Sequence, residues 1–273
     1  MALAAGSVRE ALAAATDALA AAGVDTPRLD AELLLAEVSG VERTRLAVDP
    51  DAAVTPAAGR AFGDMVRRRV RCEPVAYILG RKAFRRIDLA VDPRVLIPRP
   101  ETELLVEVAL ELEPASVLDV GTGSGAVALA VADELPGASV TATDASEAAL
   151  EVARANAIRL GLGARVTFRR GSVPKGERFD VALANLPYVR EDEWPGLAPE
   201  IARYEPRDAL VSGPTGLDAI AAVLPRIDAA AVAAEVGAGQ AAEVAELARA
   251  AGFRRTEARS DLSGIERVVV GRR

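Results

Sequence analysis

The sequence predicts an α/β protein in which a mainly parallel sheet, closed by an antiparallel element, follows a small helical domain. Three observations lead there. Residues 1–75 carry helix caps and helical apolar spacing, the chain beyond about residue 115 alternates strand-like runs with amphipathic stretches, and two consecutive strand-like runs end it. At 273 residues there is room for one large domain and one small accessory domain.

Ser7-Val8-Arg9-Glu10 has capping-box spacing, and Leu3, Leu12 and Leu19 with the intervening alanines continue an amphipathic helix to about residue 22, where Gly23 ends it. Thr26-Pro27 and Thr55-Pro56 each set a capping residue before a proline at the first helical position. They open helices through Leu33-Leu34-Leu35 and Met65-Val66. From Arg81 the period changes: Phe84, Ile87, Leu89 and Val91 alternate irregularly with charged residues, and Asp92-Pro93 marks a turn before Val95-Leu96-Ile97, which predicts a β-hairpin linker.

After the linker the rhythm is strand, then helix. SVLDV precedes a helix, ASVTATD precedes one from Ser146, and RVTFRR and FDVALA are further strands. A helix near Leu217–Ile227, the strand AVAAEV and a helix over 239–251 follow, before FRRTEAR and ERVVVG. The expected boundaries are 1–75 for the helical domain, 76–98 for the hairpin linker and 99–273 for the sheet domain.

Composition removes whole classes of chemistry. With no histidine, neither Ser-His-Asp nor Cys-His nucleophile systems, HExxH zinc sites or imidazole acid/base catalysis can operate. The single Cys72 excludes an internal disulfide and a cysteine-cluster metal site, so no metal is expected. A net charge of −7 argues against non-specific duplex binding, which needs a basic surface to displace counterions. Arg9, Glu10 and Asp17 interrupt the alanine-rich start, and no segment reaches about 18 uncharged apolar residues. A cytoplasmic protein without membrane contact is expected.

LDVGTGSGAVALA, residues 118–130, reads as a buried strand, a glycine-rich turn and a helix start. Gly121, Thr122, Gly123, Ser124 and Gly125 form the turn, where glycine allows close backbone approach and the helix N–H groups favour an anionic or polar ligand. With Ala126 the run fits G-x-G-x-x-A, and Asp144 ends the next strand, where its carboxylate can accept both hydroxyls of a ribose. NAD(H) and S-adenosylmethionine both carry such an adenosine, and a turn serving only helix–strand packing is the plain alternative. Asp119 can either reach the amino-acid end of a methyl donor or cap nearby backbone N–H groups.

The strand FDVALA delivers Asn185 to the carboxyl edge of the sheet, where ligands bind in open α/β folds. Pro187 fixes its own φ and biases Leu186 towards extended backbone, while Tyr188 supplies a flat face. Together they make a receptor for a planar NH₂ group: the Asn185 side-chain oxygen and the Leu186 carbonyl accept its two hydrogens, and Tyr188 packs on it. Methyl transfer to an amide or exocyclic amine needs such a receptor, because the nitrogen must be aimed at the methyl group. A hydride-transfer enzyme does not.

EPVAYILGRKAF (73–84), VLIPRPETELLVE (95–107), VLDVGTGSGAVALA (117–130) and NLPY (185–188) resemble, in this order and spacing, the bacterial protein-(glutamine) methyltransferases that modify peptide-chain release factors. The resemblance spans nearly the whole chain, and IPRPETE is its most specific part. It implies a seven-stranded class I, Rossmann-like, S-adenosylmethionine-dependent methyltransferase domain and an N-terminal helical domain that recognises the release factor. The implied substrate is the glutamine of that factor's Gly-Gly-Gln loop, and the protein is expected to work as a monomer without direct nucleic-acid contact.

Carried over residue by residue, Gly121 to Gly125 and Asp144 contact the cofactor, Asn185 to Tyr188 hold the glutamine amide, and Arg99, Pro100 and Glu101 lie in a loop near the site. By physics alone that last segment is a proline-started helix N-terminus. Three departures stand out: Leu186 replaces the first proline of an NPPY motif, Ser172 and Val173 stand where relatives carry an acidic and an aromatic residue near the adenine, and AVAAEV lacks a preceding Pro-Gly-Gly turn. They bear on cofactor affinity more than on the fold. The competing readings are an NAD-dependent oxidoreductase, a non-catalytic release-factor-binding module, and a methyltransferase for another protein glutamine or a nucleic-acid amine.

Overall fold

The computed structural model describes residues 6–273, so Leu3 of the first expected helix lies outside the described residues. The chain forms two compact units, one running up to Gly80 and including Pro199–Tyr204, the other comprising Arg81–Ala198 and Glu205–Arg273. No helix among the described residues is long and apolar enough to cross a membrane.

In the first unit α1 (Val8–Ala21) starts with a closed capping box, in which the Glu10 N–H donates to Ser7 Oγ and the Ser7 N–H to the Glu10 carboxylate. The Thr26 side chain does not cap α2 (Pro27–Ser39); its hydroxyl donates to Asp30 Oδ1 at 2.9 Å instead. A lost cap costs about 1 kcal/mol. Burying Leu34 and Leu35 is worth roughly 1.5–3 kcal/mol each, so packing holds the helix where capping does not.

The helix α3 (Arg43–Val48) escapes sequence reading because its six residues bury only Leu46, too little for a period to show. Thr55 caps α4 (Pro56–Val70) as expected, accepting the Ala58 N–H. Residues 76–80, assigned from sequence to the hairpin linker, are instead the rest of a short helix, α5 (Val75–Leu79), with Gly80 closing it at φ 70°. Leu12, Leu19, Leu34, Leu35 and Phe62 fill the core of this unit. Beside it the guanidinium of Arg69, itself buried, joins Asp30 (2.7 Å) and Glu200 (2.5 Å), the latter from the short helix Pro199–Tyr204.

The second unit opens with the hairpin β1 (Arg81–Phe84) and β2 (Ile87–Ala90), turned at Arg85-Arg86. Val95-Leu96-Ile97 adds no strand to it. A proline-started 3₁₀ turn, Pro100–Thr102, leads into α6 (Glu103–Leu112). Then come β3 (Ser116–Val120), α7 (Ala126–Glu134), β4 (Ser139–Asp144), α8 (Glu147–Arg159), β5 (Val166–Arg170) and β6 (Phe179–Ala184). The chain continues through α9 (Pro199–Tyr204), α10 (Asp218–Val223), β7 (Ala229–Glu235), α11 (Ala241–Ala250), β8 (Arg255–Ser260) and β9 (Glu266–Arg272).

The seven-stranded sheet runs β5-β4-β3-β6-β7-β9-β8, with β9 antiparallel between β7 and β8. β9 returns inside β8 because its run of Val268, Val269 and Val270 is buried on both faces, whereas β8 is largely exposed and suits an edge. Asn156, fully buried on α8, holds the hairpin against the glycine turn: its side chain bonds the N–H and carbonyl of Ala90 at 2.7 and 2.9 Å and the Ser124 carbonyl at 2.9 Å.

Candidate active site

Strand register brings the functional segments to one level. The order reverses at β3, with β4 on one side and β6 on the other, which opens a crevice at the carboxyl edge. Val120 pairs with Thr143 and Ala184, and Ala184 pairs with Ala234. Gly121, Asp144, Asn185 and Glu235 are therefore the next residues out along four neighbouring strands.

The glycines of the turn have different tasks. Gly121 has φ +78°, and a Cβ there would lie 3.0 Å from Leu186 Cδ2 and 3.3 Å from the Asn185 carbonyl, so this glycine lets the turn and the NLPY segment touch. Gly123 faces open space, and its N–H donates to Asp144 Oδ2 at 2.9 Å. A Cβ on Gly125 would meet Leu129 and Ala153, so this glycine lets helix and turn pack closely. Asp144 Oδ1 also accepts the Ser146 N–H at 2.8 Å, so two backbone donors aim the half-buried carboxylate.

Several residues read from sequence as cofactor contacts have buried side chains with partners inside the protein. Asp119 is buried and accepts the Thr122 hydroxyl at 2.7 Å and the Ala128 N–H at 3.1 Å, which is the capping alternative. Burial pushes its carboxyl up to about 7, against the lowering effect of those two donors. Thr122 and Ser124 are buried with it. Val173 packs into the core with Leu118 and Val120, because an apolar side chain at that level gains more from the core than from the crevice. Ser172 differs: its hydroxyl is buried and has no hydrogen-bond partner.

Around NLPY the structure adds two residues. Asn185 Nδ2 donates to Thr102 Oγ1 at 3.0 Å, and the Tyr188 hydroxyl donates to Glu235 Oε1 at 3.2 Å. Burial, with the Glu235 charge next, raises the Tyr188 phenol above its ordinary range, so it stays a donor. The Tyr188 carbonyl accepts from Gln240 Nε2 at 2.9 Å. Glu235 is itself buried, which pushes its carboxyl up to about 7 against smaller opposing effects of the Thr102 and Tyr188 hydroxyls. Arg99 is paired with the buried Glu205, whose other oxygen accepts the Ile97 N–H at 3.1 Å. That holds the Arg99–Pro100–Glu101 segment and sets Thr102 against Asn185.

Thr102 and Glu235 were both missed from sequence. The available signals were a threonine inside IPRPETE and a lone carboxylate ending the otherwise apolar strand AVAAEV. No group of three or more His, Cys, Asp or Glu that could hold a metal ion occurs among the described residues.

A family profile described as PrmC N-terminal domain matches residues 10–80, and one described as methyltransferase domain matches residues 117–204. The chain is 42% identical over 274 residues to a release factor glutamine methyltransferase of Moorella thermoacetica, covering 96% of each protein. It is 40% identical over 270 residues to that of Caulobacter vibrioides, covering 94% of this chain and 93% of the relative. Among solved structures, the hMettl16 catalytic domain in complex with the MAT2A 3′UTR hairpin 1 matches with a TM-score of 0.57 at 14% identity, over 77% of this chain and 80% of that one. At that identity the likeness is one of fold.

Proposed function

The chain belongs to the release factor glutamine methyltransferase family, and on that premise we propose that it methylates the side-chain amide nitrogen of the glutamine in the Gly-Gly-Gln loop of peptide-chain release factors, with S-adenosylmethionine as donor. The observation that carries the reading is the placement of Asn185 beside Gly121, its NH₂ engaged by Thr102 and its oxygen thereby left for a substrate amide. The oxidoreductase reading of the glycine spacing falls with the family.

The residues present fit the donor. Open space over Gly123, the aimed Asp144 carboxylate and the unpartnered Ser172 hydroxyl supply acceptors and donors of the kind a nucleoside needs. Bound there, S-adenosylmethionine supplies an electrophilic methyl group on a sulfonium. Asp144 would hold the ribose and Ser172 the adenine edge.

The chain's own part is positioning. An amide nitrogen is a poor nucleophile because its lone pair is delocalised into the carbonyl. The Asn185 oxygen and the Leu186 carbonyl accept its two N–H groups, aim the nitrogen and favour its partial pyramidalisation. Tyr188, held through both its hydroxyl and its carbonyl, closes one side. No imidazole is required, since the excess proton can leave to water. The helical unit would recognise the release factor, in the cytoplasm, as a monomer and without direct nucleic-acid contact.

Incubating candidate release factors with the protein and S-adenosylmethionine should add one methyl mass to the Gly-Gly-Gln peptide in mass spectrometry. An unmodified peptide, with donor binding shown by calorimetry, refutes the reading.

A further inference from the structure

An oxygen buried without a partner needs a reason, and Glu235 Oε2 is one. The same carboxyl accepts the Tyr188 hydroxyl through Oε1 and has the Thr102 hydroxyl as a side-chain hydrogen-bonding neighbour. Thr102 Oγ1 in turn accepts from Asn185. One end of the NLPY segment, Tyr188, is thus bonded to this carboxyl directly, and the other, Asn185, is bonded to Thr102, a neighbour of the same carboxyl.

We propose that Thr102 and Glu235 are positioning residues that set the polarity of the Asn185 amide: the Thr102 hydroxyl turns its proton to the open Glu235 oxygen, so that only its lone pairs face Asn185. The inference rests on the function proposed above. A hydroxyl has one proton and two lone pairs, and an ionised carboxylate only accepts. While Glu235 is ionised the threonine proton is committed to it, Asn185 must present NH₂ to Thr102, and its oxygen must face the substrate. A primary amide is nearly symmetric in shape, so sterics alone do not choose between its two orientations. The hydrogen-bond chain does.

If Glu235 takes up a proton, it can donate to Thr102 and release the threonine proton towards Asn185. The amide then turns over, presents NH₂ to the substrate NH₂, and the receptor becomes repulsive. The groups acting on Glu235 are Tyr188 after β6, Thr102 and Glu101 on the 3₁₀ turn and Arg267 on β9. Glu101 favours proton uptake and Arg267 opposes it. Burial places the exchange near neutrality.

The test follows the Asn185 side-chain amide by ¹⁵N NMR between pH 5 and 9, alongside kcat and donor affinity. In the unaltered protein the resonance should titrate near neutrality and kcat should fall on the acid side. Glu235→Gln should abolish that titration and lower kcat about tenfold or more, with the affinity for S-adenosylhomocysteine within twofold of the unaltered protein. Thr102→Val should lower kcat similarly, and Thr102→Ser, which restores the hydroxyl, should recover most of it. An Asn185 resonance that is insensitive to pH, or titrates equally in Glu235→Gln, overturns the proposal. So does a Thr102→Val protein with unaltered kcat. The NMR readout needs no substrate, so a titrating amide in a protein that modifies no glutamine would refute the proposed function and leave only the hydrogen-bond chain from Glu235 to Asn185 standing.

Discussion

Asp144 Oδ2 accepts the Gly123 N–H at 2.9 Å, joining the end of β4 to the turn that follows β3. One contact therefore shapes the turn and aims the carboxylate meant for the ribose. Asp144→Asn keeps the size but removes the charge and half the acceptor capacity. Charge-assisted hydrogen bonds are worth about 1.5–3 kcal/mol each, so S-adenosylhomocysteine should bind roughly 10- to 100-fold more weakly in calorimetry. Unaltered affinity would remove Asp144 from the nucleoside site.

Asn185→Ala deletes the oxygen that accepts one substrate N–H. Single-turnover transfer should fall by about 10²–10³, the cost typical of losing one donor or acceptor aimed at a reacting group. Cofactor affinity should persist, because Asn185 meets the glycine turn through its backbone carbonyl. A variant with normal turnover would end the amide-receptor argument.

Gly121 and Leu186 should behave as a pair. Gly121→Ala places a methyl group 3.0 Å from Leu186 Cδ2 on a backbone at φ +78°, a conformation costing an alanine about 1–2 kcal/mol. In a double-mutant cycle Leu186→Ala should relieve the crowding and leave that backbone cost. Leu186→Pro should hold or raise the transfer rate if rigidity is what the segment lacks, and a clear loss would show that leucine is fitted against Gly121.

In the helical unit Arg69→Met strands the buried Asp30 carboxylate. Removing one partner of a buried pair costs about 3–5 kcal/mol, which denaturant titration should register. Arg69→Met combined with Asp30→Leu should recover much of it. Equal losses in both variants would show that packing, not charge, is at stake.

Burial pushes the Asp119 and Glu235 carboxyls up to about 7 in the folded protein, from 3.8 and 4.5 for unperturbed groups. The folded chain therefore binds more protons than the unfolded one between roughly pH 4 and 7. The stabilisation they supply is complete below pH 4 and is lost as pH rises through 7. Asp119→Asn, whose side-chain oxygen can still accept from Thr122 and Ala128, should flatten the fall in unfolding free energy between about pH 4 and 7. A slope identical to the unaltered protein's would contradict the burial of that charge.

Local pattern carried much of this molecule. Capping residues, proline positions and the change of period near Arg81 mark the elements, and the glycine turn, Asp144 and NLPY announce themselves in short stretches because each works through its own backbone. Short pieces such as α3 and α5 did not show, since one or two buried side chains make no period. Nor did local pattern tell which partners inside the protein the turn residues take: Asp119 bonds Thr122, a Cβ on Gly125 would meet Leu129 and Ala153, and Val173 packs in the core. The pairing of Asn185 with Thr102, and of Tyr188 with Glu235, spans 83 and 47 residues. Such contacts follow from strand order and register, which depend on how all seven strands share one core. Sequence by itself determined the chemistry available at the carboxyl edge, and tertiary structure decided which buried carboxylate governs it.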